Sequence, residues 1–532
     1  MTIQAWVRAV VAIGVLFVAS CQSIDSRPAG IPVDIILSGG IVYDGTGSEG
    51  QQVEVVISEG KITYIGKAEP GQFRANETID ATGLIVAPGF IDPHTHADSD
   101  LDSGDIERRR NLPFAYQGVT TVVVGNDGNG SSKIAEQAAL AEKRKIGTNV
   151  AYLAGFGHLR KTIMGDDNRP PSKAEFSQMK SMIASAMCEG AFGLSAGLYY
   201  TPQNFATTEE VVELTKIAGV HGGYYDTHLR DESTYNIGLF GAVSEALEIG
   251  KRSGAAVHIS HIKALGPAVW GHSAKIIKRI EKARASGQKI TADQYPWAAS
   301  GTRISNALVP RWALDGGLDG LRERLRDETT TIKIKSEMLE NLDRRGGADK
   351  LLITGSLGKA HATVGSTLAE IARAKNLDPI DTAISILMSG DARLASFNMN
   401  ADDIRTFAGR DWVVTGSDGS TGHPRKYGSF PKAYRDFVVD GKLMTMAQFI
   451  HRSSGQTADI IGLKDRGYLK PGMVADIVIF DPKRFAAHAT YQQPRKLSTG
   501  VAYLLINGKT LIFQSKHTDE LPGKPLLKET RC

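Results

Sequence analysis

The feature that most constrains this chain is a series of eight short apolar runs, separated by stretches of helical periodicity and each followed within a few residues by a polar side chain. They are Leu84-Ile85-Val86 leading to His94, Thr121-Val122-Val123-Val124 to Asp127, Val150-Ala151-Tyr152-Leu153 to His158, and Ala191-Phe192-Gly193-Leu194 to Ser195. Next come Tyr224-Tyr225 to His228, Ala256-Val257-His258-Ile259 to His261, Ile290-Thr291-Ala292 to Tyr295, and Trp412-Val413-Val414 to Asp418. Strands alternating with helices imply βα units and a parallel sheet, and polar residues at the C-terminal ends of such strands meet at one mouth of a barrel. The expected fold is α/β, a (β/α)8 barrel of the TIM type over residues 88–460. At 532 residues the chain exceeds one ordinary core, so a second unit is expected. Short β-branched runs in residues 33–87 and again in 461–515 predict one small β-sandwich assembled from both ends of the chain, with 516–532 as a tail. Residues 303–360 read as an insertion over the barrel mouth, followed by a helix for which Ser366 is a plausible cap.

Composition narrows the partners. Hydrophobic residues make up 42% and charged residues 23%, as in a globular protein. The formal charge is only +4 and no basic run exceeds Arg108-Arg109-Arg110, which argues against nucleic acid. Ala9 to Val18 is too short and too near the start to be a membrane span, and reads as the apolar part of a signal peptide covering residues 1–20. It ends in Val18-Ala19-Ser20-Cys21, which resembles a bacterial lipobox; Cys21 would then be the lipidated mature N-terminus, with 21–32 as a tether. Gln22 fits onward export, so the expected location is the periplasmic face of a bacterial outer membrane, held only by the lipid. Cys188 and Cys532 remain, and nothing in the sequence supports their pairing. Nothing sets an oligomeric state either.

His94-Thr95-His96 on an extended strand end places both imidazoles on one side, because strand side chains alternate with period two. With His228, His261 and Asp418 at other strand ends, four imidazoles and a carboxylate form a donor set suited to Zn2+, one or two ions, with other divalent metals open.

These stretches resemble the amidohydrolase superfamily, and within it the D-aminoacylases or N-acyl-D-amino-acid deacylases. The resemblance runs from Asp34 to about Asn507. It rests on Pro88-Gly89-Phe90-Ile91-Asp92-Pro93-His94-Thr95-His96, Gly118-Val119-Thr120-Thr121, Gly190-Ala191-Phe192-Gly193-Leu194-Ser195-Ala196-Gly197-Leu198, Thr227-His228-Leu229-Arg230-Asp231-Glu232, Ile259-Ser260-His261-Ile262-Lys263, Asp293-Gln294-Tyr295-Pro296 and Gly416-Ser417-Asp418-Gly419. It implies that His94, His96, His228, His261 and Asp418 bind metal, and it selects His261 over His258. The family commonly has a cysteine where this chain reads Asp127, and that carboxylate either replaces the thiolate or only caps a turn.

The implied reaction is metal-dependent removal of the acyl group from an N-acyl-D-amino acid, or cleavage of a dipeptide with a D-residue. Asp418 would take a proton from the attacking water and pass it to the leaving amine, and Tyr295 would donate to the oxyanion. For the substrate carboxylate, Lys263 is the best placed cation, with Arg311 and Arg303 as competing arginines and His423-Pro424-Arg425 bordering the acyl side. Two other classes are a cyclic-amide hydrolase of the dihydroorotase or hydantoinase type and a lipid-anchored binding protein that has lost catalysis. The first needs a lysine on strand four, where this chain reads Gly193-Leu194-Ser195; the second is opposed by the intact histidines.

Overall fold

The computed structural model describes residues 30–530 and 532. The signal segment and Cys21 lie outside the described residues. Eight parallel strands carry the fold: β1 (Phe90–Asp92), β2 (Val119–Val124), β3 (Asn149–Tyr152, resumed over Ala154–Gly155), β4 (Gly193–Gly197), β5 (Tyr224–His228), β6 (Val257–Ile259), β7 (Ile290–Gln294) and β8 (Val413–Thr415). Each pairs in parallel with the next in sequence order. A further parallel bridge, Thr95 to Gly419, joins the segments that follow β1 and β8. Helices between the strands, such as Thr208–Val220 and Gly238–Ser253, lay apolar faces on the sheet.

The first strand differs from the sequence expectation. Ile85–Pro88 does not lead the parallel strands; it pairs antiparallel with Ile477–Phe480 in a separate sheet. The parallel strand begins only at Phe90, after a break at Gly89, where a Cβ would meet the Thr120 side chain at 2.2 Å. A run that looks continuous in sequence is thus divided between two sheets by a close backbone approach that glycine alone permits.

Seven strands drawn from both ends of the chain form that second sheet, and a four-stranded sheet built on Ile31–Ser38 covers it. Ile35, Leu37, Val55, Ile57, Val86, Ile477, Ile479 and Leu505 fill the space between them.

The insertion is longer than 303–360. Strand Ser300–Arg303 pairs with Gly390–Ser396, which also pairs with Leu351–Gly358, so the unit closes only at residue 396. Its core, including Ile304, Leu308, Ile334, Met338, Leu387 and Leu394, is separate from that of the parallel strands. The helix expected after residue 360 therefore lies inside the unit; it starts at Leu368, and its cap is Thr367 rather than Ser366. Thr367 Oγ1 accepts from Glu370 N at 3.2 Å while Glu370 Oε2 accepts from Thr367 N at 2.8 Å, a reciprocal pair open only to the residue three before a glutamate.

Cys188 and Cys532 are joined as a disulfide across 344 residues, with Cα atoms 5.8 Å apart. The pairing unsupported by sequence arises because Pro525–Leu526 adds to the edge of β3 and carries the C-terminus to the end of helix Lys173–Cys188. Among the described residues, no helix is long and apolar enough to cross a membrane.

Candidate metal centre

The ends of β1, β2, β5, β6 and β8 bring His94, His96, Asp127, His228, His261 and Asp418 together. Asp127 is the hub. Its Oδ1 lies 3.6 Å from His94 Nε2, 3.7 Å from His228 Nδ1 and 3.6 Å from His261 Nε2, and its Oδ2 lies 3.5 Å from His96 Nε2. Asp418 Oδ1 sits 3.1 Å from His96 Nε2 and 3.8 Å from His94 Nε2. Asp127, His261 and Asp418 hold positive φ angles of 57°, 37° and 49°. Non-glycine residues pay on the order of 1–3 kcal/mol for such backbone, strain that clusters where function requires a side chain to be aimed.

Beneath the cluster, His258 is buried against Asp293 at 3.1 Å and Thr291 at 2.9 Å. His94 Nδ1 stands 3.9 Å from the same Asp293. Glu232, to which the sequence reading gave no role, joins the site: its Oε1 accepts from Lys263 Nζ at 2.6 Å and lies 3.3 Å from His261 Nδ1. Its signal was present in Thr227-His228-Leu229-Arg230-Asp231-Glu232, four residues past a histidine. Lys263 Nζ is also 2.6 Å from His261 Nδ1, which leaves Nε2 of that ring turned to Asp127.

Burial pushes the His94 and His228 imidazoles down to about 4 despite neighbouring carboxylates. Burial and Lys263 oppose a charge on His261, yet Asp418, Asp127 and Glu232 raise it to about 10. Burial works against Asp127 and Asp418 too, but the surrounding imidazoles, and for Asp418 first the Arg425 guanidinium, hold both carboxyls well below the usual range. The ionised carboxylates and the neutral His94 and His228 rings are in the state a cation needs, whereas the protonated His261 ring would release its proton on binding one. Both ring nitrogens of His94 and Oδ1 of Asp127 are buried without a hydrogen-bond partner. Orphaned nitrogen and carboxylate donors converging from four sides fit a divalent cation of the zinc type.

The expected substrate contacts fare differently. Tyr295 is 1% exposed, and its hydroxyl has no partner. It lines a chamber together with His228, Glu232, His261, Lys263 and Asp418. Lys263 is in that wall, but its charge is taken up by Glu232. Arg311 is not. Its guanidinium stacks 4.1 Å from the Tyr199 ring and Nη2 donates to Asn306 O at 2.5 Å. Arg303 is exposed on a wider cleft that His96, Asp127, Arg393 and Arg425 also line. Arg425 is 2% exposed and its Nη1 lies 2.6 Å from Asp418 Oδ2.

Donors gathered at the C-terminal ends of parallel strands define a metal-binding α/β protein. The chain belongs to the amidohydrolase family, whose sequence profile matches residues 77–221 and 326–512. It is 30% identical to an N-acyl-D-glutamate deacylase of Alcaligenes xylosoxydans xylosoxydans over 525 residues, covering 93% of this chain and 97% of that one. The crystal structure of an N-acyl-D-glutamate deacylase from Bordetella bronchiseptica, complexed with zinc and a phosphonate mimic of the tetrahedral intermediate, superposes with a TM-score of 0.79 at 30% identity, covering 93% of this chain and all of that one. A D-aminoacylase studied for its binuclear metal centre gives 0.79 at 28%, covering 94% of this chain and 100% of the other.

Proposed function

We propose that this protein is a zinc-dependent hydrolase that removes the acyl group from N-acyl-D-amino acids, on a scaffold in which β1 to β8 close as one (β/α)8 barrel beside a small β-sandwich. The observation that carries the reading is Asp127 at the centre of four histidines, where both nitrogens of His94 and Oδ1 of Asp127 are buried without a hydrogen-bond partner. His94, His96 and Asp418 would hold a cation on one side, and His228 and His261 on the other, with Asp127 within reach of either. Bound zinc lowers the pKa of a water and polarises an amide carbonyl.

Asp418, kept ionised by Arg425 and His96, accepts the proton of the attacking water and returns it to the leaving nitrogen. Tyr295, with a free buried hydroxyl in the chamber wall, donates to the oxyanion. Glu232 and Lys263 fix the His261 ring between them. The cyclic-amide alternative loses support at β4, where Ser195 Oγ bonds Gly125 O and accepts from Gly128 N and no lysine is available to carry a carbamate.

The test is turnover of zinc-loaded protein on matched N-acyl-D- and N-acyl-L-amino acids and on dipeptides with a D-residue. Cleavage of the D-series is expected; no cleavage of any of them overturns the reading. Asp418→Asn should lower kcat at least about tenfold, 1.4 kcal/mol of barrier.

We also propose export and lipidation at Cys21. Val18-Ala19-Ser20-Cys21 supports it, and a Cys188–Cys532 disulfide is compatible with an oxidising compartment. Fatty-acid labelling of the wild type that persists in Cys21→Ala would refute it.

A further inference from the structure

The chamber beside the metal centre has two cations in its wall, and only one of them has a counter-charge. Lys263 is paired with Glu232 at 2.6 Å. Arg345, 2% exposed, follows helix Glu328–Arg344 of the insertion and meets no carboxylate within ion-pair distance among the described residues. Its Nε donates to Ala307 O at 3.3 Å and its Nη2 to the Tyr199 hydroxyl at 3.1 Å. Nη1 lies 3.1 Å from the Asn398 side-chain amide, whose oxygen would accept from it with the amide in its better-satisfied orientation. All three acceptors are neutral, and the helix C-terminus adds at most about half an elementary charge. Arg230 is paired with Glu245 at 2.8 Å and Arg160 with Glu210 at 2.5 Å; Arg452, 8% exposed, also donates only to a backbone carbonyl, but it lies outside the chamber wall. A buried guanidinium that lines a cavity without an anion is costly unless the cavity's ligand supplies one. The Tyr235 ring lies 5.7 Å from the Arg345 guanidinium in the same wall, and its hydroxyl is buried with no partner.

We infer that Arg345, with Tyr199 and Tyr235, is a carboxylate subsite that selects substrates carrying a second acidic group besides the α-carboxylate. The inference rests on the deacylase reading. Depth separates the two carboxylates. Arg345 touches none of the metal-binding side chains; it meets the hydroxyl of Tyr199, whose ring is the one that stands 5.7 Å from the His228 ring. An α-carboxylate, one carbon from the scissile nitrogen, stays beside the metal centre and Lys263. A carboxylate at the end of a chain of a few carbons reaches one aromatic ring further. That chain belongs to the amino-acid side chain or to the acyl group, and in both cases Arg345 is a specificity-determining residue.

The experiment compares kcat/KM of the zinc-loaded full chain on acid and neutral partners of equal shape. One arm pairs N-acetyl-D-glutamate with N-acetyl-D-glutamine. The other pairs N-succinyl-D-leucine with N-butanoyl-D-leucine. A preference for the acid of about tenfold, carried by KM, is expected in one arm, as for one charge-assisted bond inside a dry pocket. The arm that shows it identifies the source of the carboxylate. In Arg345→Gln the ratio should fall to near unity. Absence of a preference in both arms of the wild type, or a preference that survives in Arg345→Gln, overturns the subsite. Should that variant fail to fold, Tyr235→Phe removes one donor without a change of charge and should lower the ratio about threefold; an unchanged ratio counts against the subsite. If no compound is cleaved, the deacylase reading fails by itself. Calorimetry with glutarate then decides the subsite: binding weakened about tenfold in Arg345→Gln upholds it, and equal binding overturns it.

Discussion

The carboxylate of Asp127 lies within 3.7 Å of all four histidines of the centre. Asp127→Ala should therefore lower bound metal and turnover together, while Asp127→Cys should keep metal and shift preference toward zinc over harder ions, both read by elemental analysis beside the assay. An alanine variant with wild-type metal content would reduce Asp127 to a turn residue. Asp92 offers a test in pH. It is wholly buried under His94, and burial pushes its carboxyl up to about 8, outweighing the Ser417 and His94 backbone N–H groups that donate to Oδ1. An unfolded aspartate ionises near about 3.9. Between these values the unfolded chain has lost a proton that the native state keeps, so this residue's contribution to stability is full below pH 4 and falls as pH rises toward 8. Asp92→Asn keeps an oxygen for both N–H groups and cannot ionise. On chelator-treated protein, the Tm of the variant relative to wild type should rise steadily from pH 5 to 8; a constant difference shows that Asp92 is already charged in the fold. The histidines and Asp418 were legible because each follows an apolar run at a strand end. Glu232, Arg345 and Arg425 were not assigned these contacts from sequence, since a charged residue in a loop has the same local signature whether it is solvated or buried against a histidine.

At the scale of elements, period-two and apolar-run patterns located seven of the parallel strands, because a strand buried on both faces has no polar alternative to confuse it. The first was displaced by a few residues because two apolar segments abut at Gly89 and belong to different sheets. The end of the insertion was hidden for another reason: its closing strand Gly390–Ser396 includes Gly390, Asp391 and Arg393 and lacks a strand-like pattern, yet it pairs on both edges. That unit supplies Ser300, Gly301, Thr302 and Arg345 to the chamber wall. Leu387 is fully buried in its core, away from the metal centre. Leu387→Ala should cost about 2–5 kcal/mol in denaturant unfolding of the insertion and raise KM more than it lowers kcat, because the wall loosens while the metal ligands stay on the parallel strands. A loss under about 1 kcal/mol would mean that the insertion core collapses around the gap.

At the scale of the whole molecule, the C-terminal tail ties the chain back onto the strands at the end remote from the metal centre. Val150 N donates to Lys524 O at 3.0 Å, Gly523 N to Ile146 O at 2.9 Å and Lys528 N to Gly190 O at 2.9 Å, while Pro525–Leu526 runs parallel to the start of β3. Leu526 packs against the cluster that holds Phe192 and Tyr224. No sequence pattern announces this, because a two-residue strand and a bond across 344 positions have no local signature. Beyond Lys528 the disulfide is the covalent tie to helix Lys173–Cys188, and chain ends fray unless tied down. Cys532→Ser, or reduction of the wild type, should expose the segment after Leu526 to carboxypeptidase while zinc content and turnover stay at wild-type levels, since the six side chains proposed to bind metal lie at the opposite ends of the strands. Mass spectrometry of the digested chain reads the outcome. If the reduced protein resists trimming as well as the oxidised one, the backbone bonds of Lys524 and Lys528 hold the tail without the sulfur bridge, and the disulfide contributes nothing to its order.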